Sequence, residues 1–523
     1  MSVPPNPEGQ VMRALGTIGS ATLVSRVLGF ARDMVIALVF GAGTTTDAFL
    51  VALRIPNIMR RLLGEGALSA AVIPVITEYA FHRSRVEMLR TLRALLGATL
   101  LVLTAVTILG MAAAPELVRF LAPGFTREPG QAALSASLTR VMFPYLALVA
   151  LSALAMGTLH AHARFLAPAL GPAVQNVAII VCVALLASRL NPAILAPAIG
   201  VVLGGLGQLV VQLPSLNRCG CLVAPSGEIG HPAVRQVGRL LLPAVVGLAS
   251  VQVNVFVNTL LASLLPAGSI SFLYYADRVM ELPLGVFGIA LASAALPTMS
   301  RQASVRDIGG LAGTLSFGLR WSFFIAVPAT LGLIVLRTPI TRVLFERGQF
   351  TAADTLATAE ALKWFALGLA GMSAARIAAQ VFYALQEPMV AVRLGVVSVL
   401  VNIAAACVLM GPLQHAGLAA AASLASYVNL GTLMWVARRR LGPIGGIAIL
   451  GAIARTATAS APLLLVCLAS LWLWPPSPAD MVDAIWLLST IVLAGLAFGG
   501  SAWCLRAPEL PTIARSLLRR RNV

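Results

Sequence analysis

The stretch Ser25-Arg26-Val27-Leu28-Gly29-Phe30-Ala31-Arg32-Asp33-Met34-Val35-Ile36-Ala37-Leu38-Val39-Phe40 decides how this chain is read. It reads as part of a membrane-spanning helix, yet it carries two arginines and an aspartate. A charged side chain at the centre of such a helix costs about 2.5–3.5 kcal/mol on insertion scales, so these residues are expected to face a water-filled cavity or a charged partner. The next apolar segment repeats the pattern with Asp47, Arg54, Arg60, Arg61 and Glu65. Two successive segments of this kind imply an integral membrane protein with a polar interior.

The composition agrees. Of 523 residues, 59% are hydrophobic and 11% charged, where a soluble domain carries about 25% charged residues, and the mean hydropathy is +0.91. The formal charge of +18 comes mostly from arginines on short connections beside apolar segments. That is the positive-inside pattern, and it argues against nucleic acid as a partner. The six cysteines are scattered and imply no disulfide framework. Cys219-Gly-Cys221 lacks a second ligand pair, and the histidines show no metal spacing, so neither metal nor cofactor is expected. Residues 1–10 lack the basic-then-apolar pattern of a signal peptide, which leaves insertion to the first membrane helix.

Apolar stretches of about 20 residues predict an all-α fold of fourteen membrane helices, the first centred near Gly29 and the last near Thr490. Alternate connections separate by charge. One set holds Arg83, Arg85, Arg90, Arg93, Arg164, Arg218, Arg235, Arg239, Arg301, Arg306, Arg393, Arg438-Arg439-Arg440 and the C-terminal Arg515, Arg519, Arg520 and Arg521. This set is assigned to the cytoplasm, and both termini with it. In the opposite set, the stretches 41–46, 266–269 and 411–416 have no Arg or Lys. Two longer external connections, around 119–131 and 337–354, mix both signs and have room for short interfacial helices.

The two halves are related by a period of about 225 residues. Ala42-Gly43 matches Ala267-Gly268, Ile73-Pro74 matches Leu296-Pro297, Gly124-Phe125-Thr126 is echoed by Gln349-Phe350-Thr351, and Asn176 matches Asn402. Six helices per repeat give both copies one orientation, related by an axis along the membrane normal. The expected organisation is an N-terminal lobe over 1–215 (helices one to six) and a C-terminal lobe over 216–440 (helices seven to twelve), pseudo-symmetric around a central cationic cavity. Residues 441–523 add helices thirteen and fourteen and a basic cytoplasmic tail.

At about 100° per residue, positions seven apart share a helix face. Arg26 therefore aligns with Asp33, and Asp47 with Arg54 and Arg61, while Glu65 follows Arg61 by one turn. In the second half, Tyr274-Tyr275-Ala276-Asp277-Arg278-Val279-Met280-Glu281-Leu282-Pro283 lets Asp277 and Glu281 brace Arg278. Guanidinium forks pair bidentately with phosphate oxygens and stay ionised, so Arg26, Arg54, Arg61 and Arg278 are candidates for a phosphate or diphosphate. The alternative is that they only pair with Asp33, Asp47, Glu65, Asp277 and Glu281, or reach to an interface. Pro56 and Pro283, with glycines beside them, predict bent or broken helices. Lys363, the chain's single lysine, and Arg376 add charge to the tenth helix, as cavity residues or interfacial anchors.

The blocks Ser25 to Asp33, Phe40-Gly41-Ala42-Gly43, Thr46-Asp47-Ala48-Phe49, Arg54-Ile55-Pro56-Asn57, Arg60-Arg61, Glu65-Gly66-Ala67, Pro123-Gly124-Phe125 and Tyr274 to Pro283 closely resemble the MurJ (MviN) family of lipid II flippases. The resemblance implies a fourteen-helix fold of the multidrug/oligosaccharidyl-lipid/polysaccharide exporter superfamily in the bacterial inner membrane. It implies a non-enzymatic activity, flipping of the undecaprenyl-diphosphate-linked peptidoglycan precursor by alternating access for cell wall synthesis. It assigns cavity roles to Arg26, Arg32, Asp47, Arg61, Glu65 and Arg278, and places the polyprenyl tail along helices thirteen and fourteen. Lipid II and membrane lipids are the implied partners, with other cell-wall synthesis proteins as further candidates. Some members bind sodium through acidic residues in helices seven and eleven, where this chain has Asn254, Asn258 and Asn402. Membrane potential, protons or another cation gradient stay open as the drive.

Two other readings fit less well. A drug or other polysaccharide-lipid exporter on the same scaffold is the alternative, but an exporter of cationic drugs calls for acidic, aromatic-lined pockets, and this chain has 6% aromatics and an arginine-rich interior. A membrane enzyme needs an acidic pair or nucleotide loop away from these arginines, and none is seen.

Overall fold

The computed structural model describes residues 7–61, 68–128, 130–474 and 480–509. Every regular element among them is helical, and nine helical runs are long and apolar enough to cross a membrane. The chain packs as two compact units, Met1–Ser271 with Arg347–Phe350, and Phe272–Glu346 with Thr351–Val523.

The first unit holds α1 (Pro7–Phe40), α2 (Thr44–Met59), α3 (Leu68–His82), α4 (Arg85–Ala112), α5 (Ala114–Leu121), α6 (Gln131–Met142), α7 (Tyr145–Ala161), α8 (Leu166–Leu186), α9 (Leu195–Arg218) and α10 (Pro232–Ser263). Local chemistry starts several of these. The Ser84 hydroxyl accepts the Glu87 amide at 3.3 Å to open α4. At α10 the His231 ring nitrogen accepts the Ala233 amide at 3.2 Å, with Pro232 in the first turn, where its missing N–H costs nothing. Helix α10 is tied to α3 and α4 by Gln236 to Glu78 (3.3 Å) and His231 to Glu87 (3.4 Å). The loop before it is pinned to α4 by the Ser226 amide on the Arg93 carbonyl (3.0 Å) and by Arg90 on Glu228 (2.7 Å). That guanidinium holds the Glu228 carboxyl below its usual range. These ties place α10, the seventh predicted span, with the first packed unit, whereas the boundary expected at 215/216 follows the repeat.

The second unit holds most of α11 (Ser269–Pro283), then α12 (Ile289–Ser304), α13 (Ile308–Val335), α14 (Arg337–Phe345), α15 (Ala352–Ala384), α16 (Pro388–Leu441), α17 (Gly446–Ala459), α18 (Ala461–Leu473) and α19 (Asp480–Cys504). Thr351 and Asp354 form a reciprocal capping box at the start of α15. Helix α16 is two helices joined at a sharp corner: Gln414 has φ 49° and ψ −130°, and a Cβ on Gly417 would overlap the Leu409 carbonyl. The two arms then run side by side, as the bond from Ser398 Oγ to the Ala425 carbonyl at 2.8 Å requires. The external connection predicted at 411–416 is therefore a tight corner. Helices α5 and α14 are the short helices for which the two longer connections had room.

A widened turn follows each of the two prolines expected to bend or break its helix. After Pro56, Arg60 and Arg61 continue α2 as a wide π-helical turn. After Pro283, residues Leu284–Gly288 make a π-helical turn before α12. Proline forgoes the hydrogen bond to the carbonyl a turn earlier, whereas each widened turn lies on the C-terminal side of its proline.

Candidate functional site

In the first unit the charged residues of α1 divide into two kinds. Arg32 is held: Nε and Nη2 donate to Asp33 Oδ1 at 2.9 and 2.6 Å, and Nη1 donates to Asn176 Oδ1 at 3.1 Å. Asn176 in turn donates to the Ser25 carbonyl at 3.0 Å, so one amide bridges two turns of α1 to α8. Gly29 makes this approach feasible, since a Cβ there would stand 3.3 Å from Asn176 Nδ2. Asp33 is 1% exposed and the Arg32 side chain 16%. A buried pair of this kind is tolerated because further hydrogen bonds satisfy the guanidinium.

Arg26 differs. It is exposed on α1, and no hydrogen bond or ion pair engages its side chain among the described residues. The helical spacing aligned it with Asp33, but the donor on Asp33 Oδ1 is its neighbour Arg32.

On α2 the expected stripe is divided. Asp47 is 2% exposed, and its carboxylate accepts the Gly268 amide at 2.7 Å, the Ser271 amide at 2.8 Å and the Ser271 hydroxyl at 2.5 Å. It thus serves the first turn of α11, where a carboxylate answers free N–H groups and the positive end of the helix. Arg54 is half-buried, Arg60 donates to Asn57 Oδ1 at 3.3 Å, and Arg61 is exposed in the wide turn. Glu65 lies outside the described residues. Asp47→Ala is expected to orphan the donors of Gly268 and Ser271, at about 1–3 kcal/mol for each one left buried. A lower melting temperature in detergent, only partly recovered by Asp47→Asn, is the measurement.

In the second unit Arg278 donates from Nη1 to Glu281 at 2.8 Å and from Nη2 to the Tyr274 hydroxyl at 3.4 Å, with its guanidinium 4.9 Å from the Tyr274 ring centre. The expected brace by Glu281 forms, and Tyr274 adds a cation–π contact the spacing did not suggest. Its side chain stays 35% exposed, and Asp277 beside it is half-buried. Arg376 also lies within the field of Glu281. Lys363 is paired with Glu360 at 2.8 Å, and Trp364 Nε1 donates to the same oxygen at 3.1 Å. The sequence reading singled out neither Glu360 nor Asn176 as a partner. For Asn176 the repeat match with Asn402 was the available signal. Asn254 and Asn258 bond each other at 3.4 Å, and no group of three His, Cys, Asp or Glu side chains suited to a metal occurs among the described residues.

Residues 36–482 match the family model described as "Lipid II flippase MurJ". A probable lipid II flippase MurJ from Vibrio cholerae is 37% identical over 425 residues, which cover 80% of this chain and 81% of that protein. One from Bdellovibrio bacteriovorus is 32% identical over 514 residues, 97% of both chains. Among solved structures, one described as lipid II flippase MurJ in an inward closed conformation aligns with a TM-score of 0.78 at 24% identity, covering 94% of this chain and 99% of that one. An inward-facing multidrug resistance MATE family transporter of the MOP superfamily aligns at 0.67 and 14% identity, over 81% of this chain and 96% of that one. These structures share the fold. With the family model spanning most of the sequence and relatives above 30% identity along most of their own length, the chain belongs to the MurJ family of lipid II flippases.

Proposed function

We propose that this chain flips lipid II, the undecaprenyl-diphosphate-linked peptidoglycan precursor, from the cytoplasmic to the outer leaflet of the bacterial inner membrane by alternating access. The observation that carries the reading is the contrast on α1: Arg32 donates to Asp33 and Asn176, while nearly two turns earlier Arg26 is exposed, with no hydrogen bond or ion pair to its side chain among the described residues. A guanidinium left this way in apolar sequence suits an anionic ligand that comes and goes. Arg278, braced but still accessible, is its counterpart in the second repeat. Arg54, Arg61 and Glu65 complete the proposed diphosphate-binding set. Arg32, Asp33 and Asn176 position α1, and Asp47 fixes the start of α11. No bond is made or broken in this cycle.

The crossings we infer number fourteen: α1, α2 with α3, α4, α6 with α7, α8, α9, α10, α11 with α12, α13, α15, the two arms of α16, α17 with α18, and α19. The first six and the next six make the two lobes, and both termini lie in the cytoplasm by the arginine asymmetry. The last two crossings border the path of the polyprenyl tail.

The test is flipping of fluorescent lipid II in proteoliposomes, scored by accessibility to an external quencher, with proton gradient, sodium gradient and membrane potential imposed singly. Protein-dependent flipping, accelerated by potential or protons, is expected. A rate equal to that of empty vesicles under every gradient would sink the reading.

A further inference from the structure

The two connections that echo each other in sequence, Gly124-Phe125-Thr126 and Gln349-Phe350-Thr351, do the same thing in space. Each docks onto the C-terminal end of the helix that opens the other repeat. Helix α1 stops at Phe40, which leaves the Leu38 carbonyl without a helical partner. The Gln349 amide fills that place at 2.9 Å. Gly348, at φ +59°, sits so close that a Cβ would overlap the Leu38 carbonyl oxygen. Helix α10 stops at Ser263, and there the Gly124 amide donates to Ser263 Oγ at 3.2 Å while Arg127 reaches the Leu264 carbonyl at 3.5 Å. A Cβ on Gly124 would overlap the Ser263 carbonyl oxygen. Phe125 and Phe350 are buried at 3% and 1% exposure. All these contacts lie inside the first packed unit, to which 347–350 belongs although its flanking residues do not.

We propose that these two loops form a reciprocal latch on the external ends of α1 and α10, closed here and released in each transport cycle. The assignment of side and cycle rests on the flippase reading. The contacts are built to be reversible. The hydrogen bonds named are to helix-end groups, where water can take the place of either partner, and a cavity of about 260 Å³ lined by Gly124, Phe125, Arg127, Ser263 and Leu264 leaves the 124 loop partly unsupported. Because each repeat supplies the stopper for the other's first helix, loss of one loop is expected to weaken the hold of its twin.

The experiment uses the full chain carrying Leu38→Cys and Gln349→Cys, both positions exposed, with the 38–349 disulfide verified by peptide mass spectrometry after mild oxidation. Oxidised protein in proteoliposomes should flip lipid II at least tenfold more slowly than the same protein reduced, and reductant should restore the rate. Equal rates in the two states, while parent and reduced protein flip, would overturn the latch and leave the flippase reading standing. Cross-linking yield is the second readout and needs no transport: Gly348→Ala and, separately, Gly124→Ala should each lower it several-fold. Gly431→Ala, whose added methyl meets open space, controls for a general effect of the substitution. A yield unchanged by Gly348→Ala removes the latch, one unchanged by Gly124→Ala removes its reciprocity, and failure of the parent to flip counts against the flippase reading alone.

Discussion

Arg278→Ala and Arg26→Ala are each expected to slow lipid II flipping by roughly 10- to 100-fold while insertion and yield stay at parental levels. A hydrogen bond to a charged group contributes about 1.5–3 kcal/mol, and every 1.4 kcal/mol is tenfold. The two substitutions should differ in their side effects. Arg26 has no engaged protein partner among the described residues, so its removal orphans nothing, whereas Arg278→Ala leaves Glu281 without its 2.8 Å donor. Glu281 is 49% exposed, and water can replace that donor at small cost. Lysine at either position keeps the charge but loses the planar fork, so an intermediate rate is expected. Cells that depend on Arg26→Ala or Arg278→Ala and still grow and divide normally would remove that arginine from the binding set.

The largest stability effect is expected at Asp33. Replacing it with alanine takes from the buried Arg32 guanidinium the carboxylate it is paired with, and breaking a buried pair from one side costs about 3–5 kcal/mol. Arg32→Ala should also destabilise, by taking from the buried Asp33 carboxylate the guanidinium that donates to it at 2.9 and 2.6 Å. The double replacement removes both charges and should be clearly less damaging than the sum of the singles. Thermal unfolding of the four proteins in one detergent gives the comparison. Strict additivity would mean that the pair is not what holds this part of α1.

Much of this was legible in the sequence because the membrane makes polar residues conspicuous. Arg26, Arg32, Asp33, Asp47 and Arg278 stand out against apolar neighbours, and the prolines at 56 and 283 marked the two segments in which regular α-helix gives way to a widened turn. What helical spacing could not supply was competition between partners. Asp33 lies on the face of Arg26 but is adjacent to Arg32, whose side chain folds back on it with help from Asn176, 144 residues away. Asp47 looked like one rung of a charged stripe, yet its partners Gly268 and Ser271 are backbone amides and a hydroxyl more than 200 residues on. Backbone donors carry no sequence signature, so nothing in the residue pattern marked them. The sharpness of the corner at Gln414 was hidden for a similar reason: a glutamine of positive φ two residues after a proline reads as an ordinary connection.

The contact between Leu38 and Gln349 also sets a clock. At 5–20 residues per second, residue 350 leaves the ribosome roughly 15 to 60 s after the end of α1. For that interval the Leu38 carbonyl has neither its helical partner nor its eventual one, and in its last part the rest of the first packed unit, as far as Ser271, has already been made. A nascent chain stalled before residue 347 thus presents an unfinished helix end to whatever surrounds it, and a fragment cut at 271 keeps that defect permanently. The first unit is assembled by a segment that reaches it last.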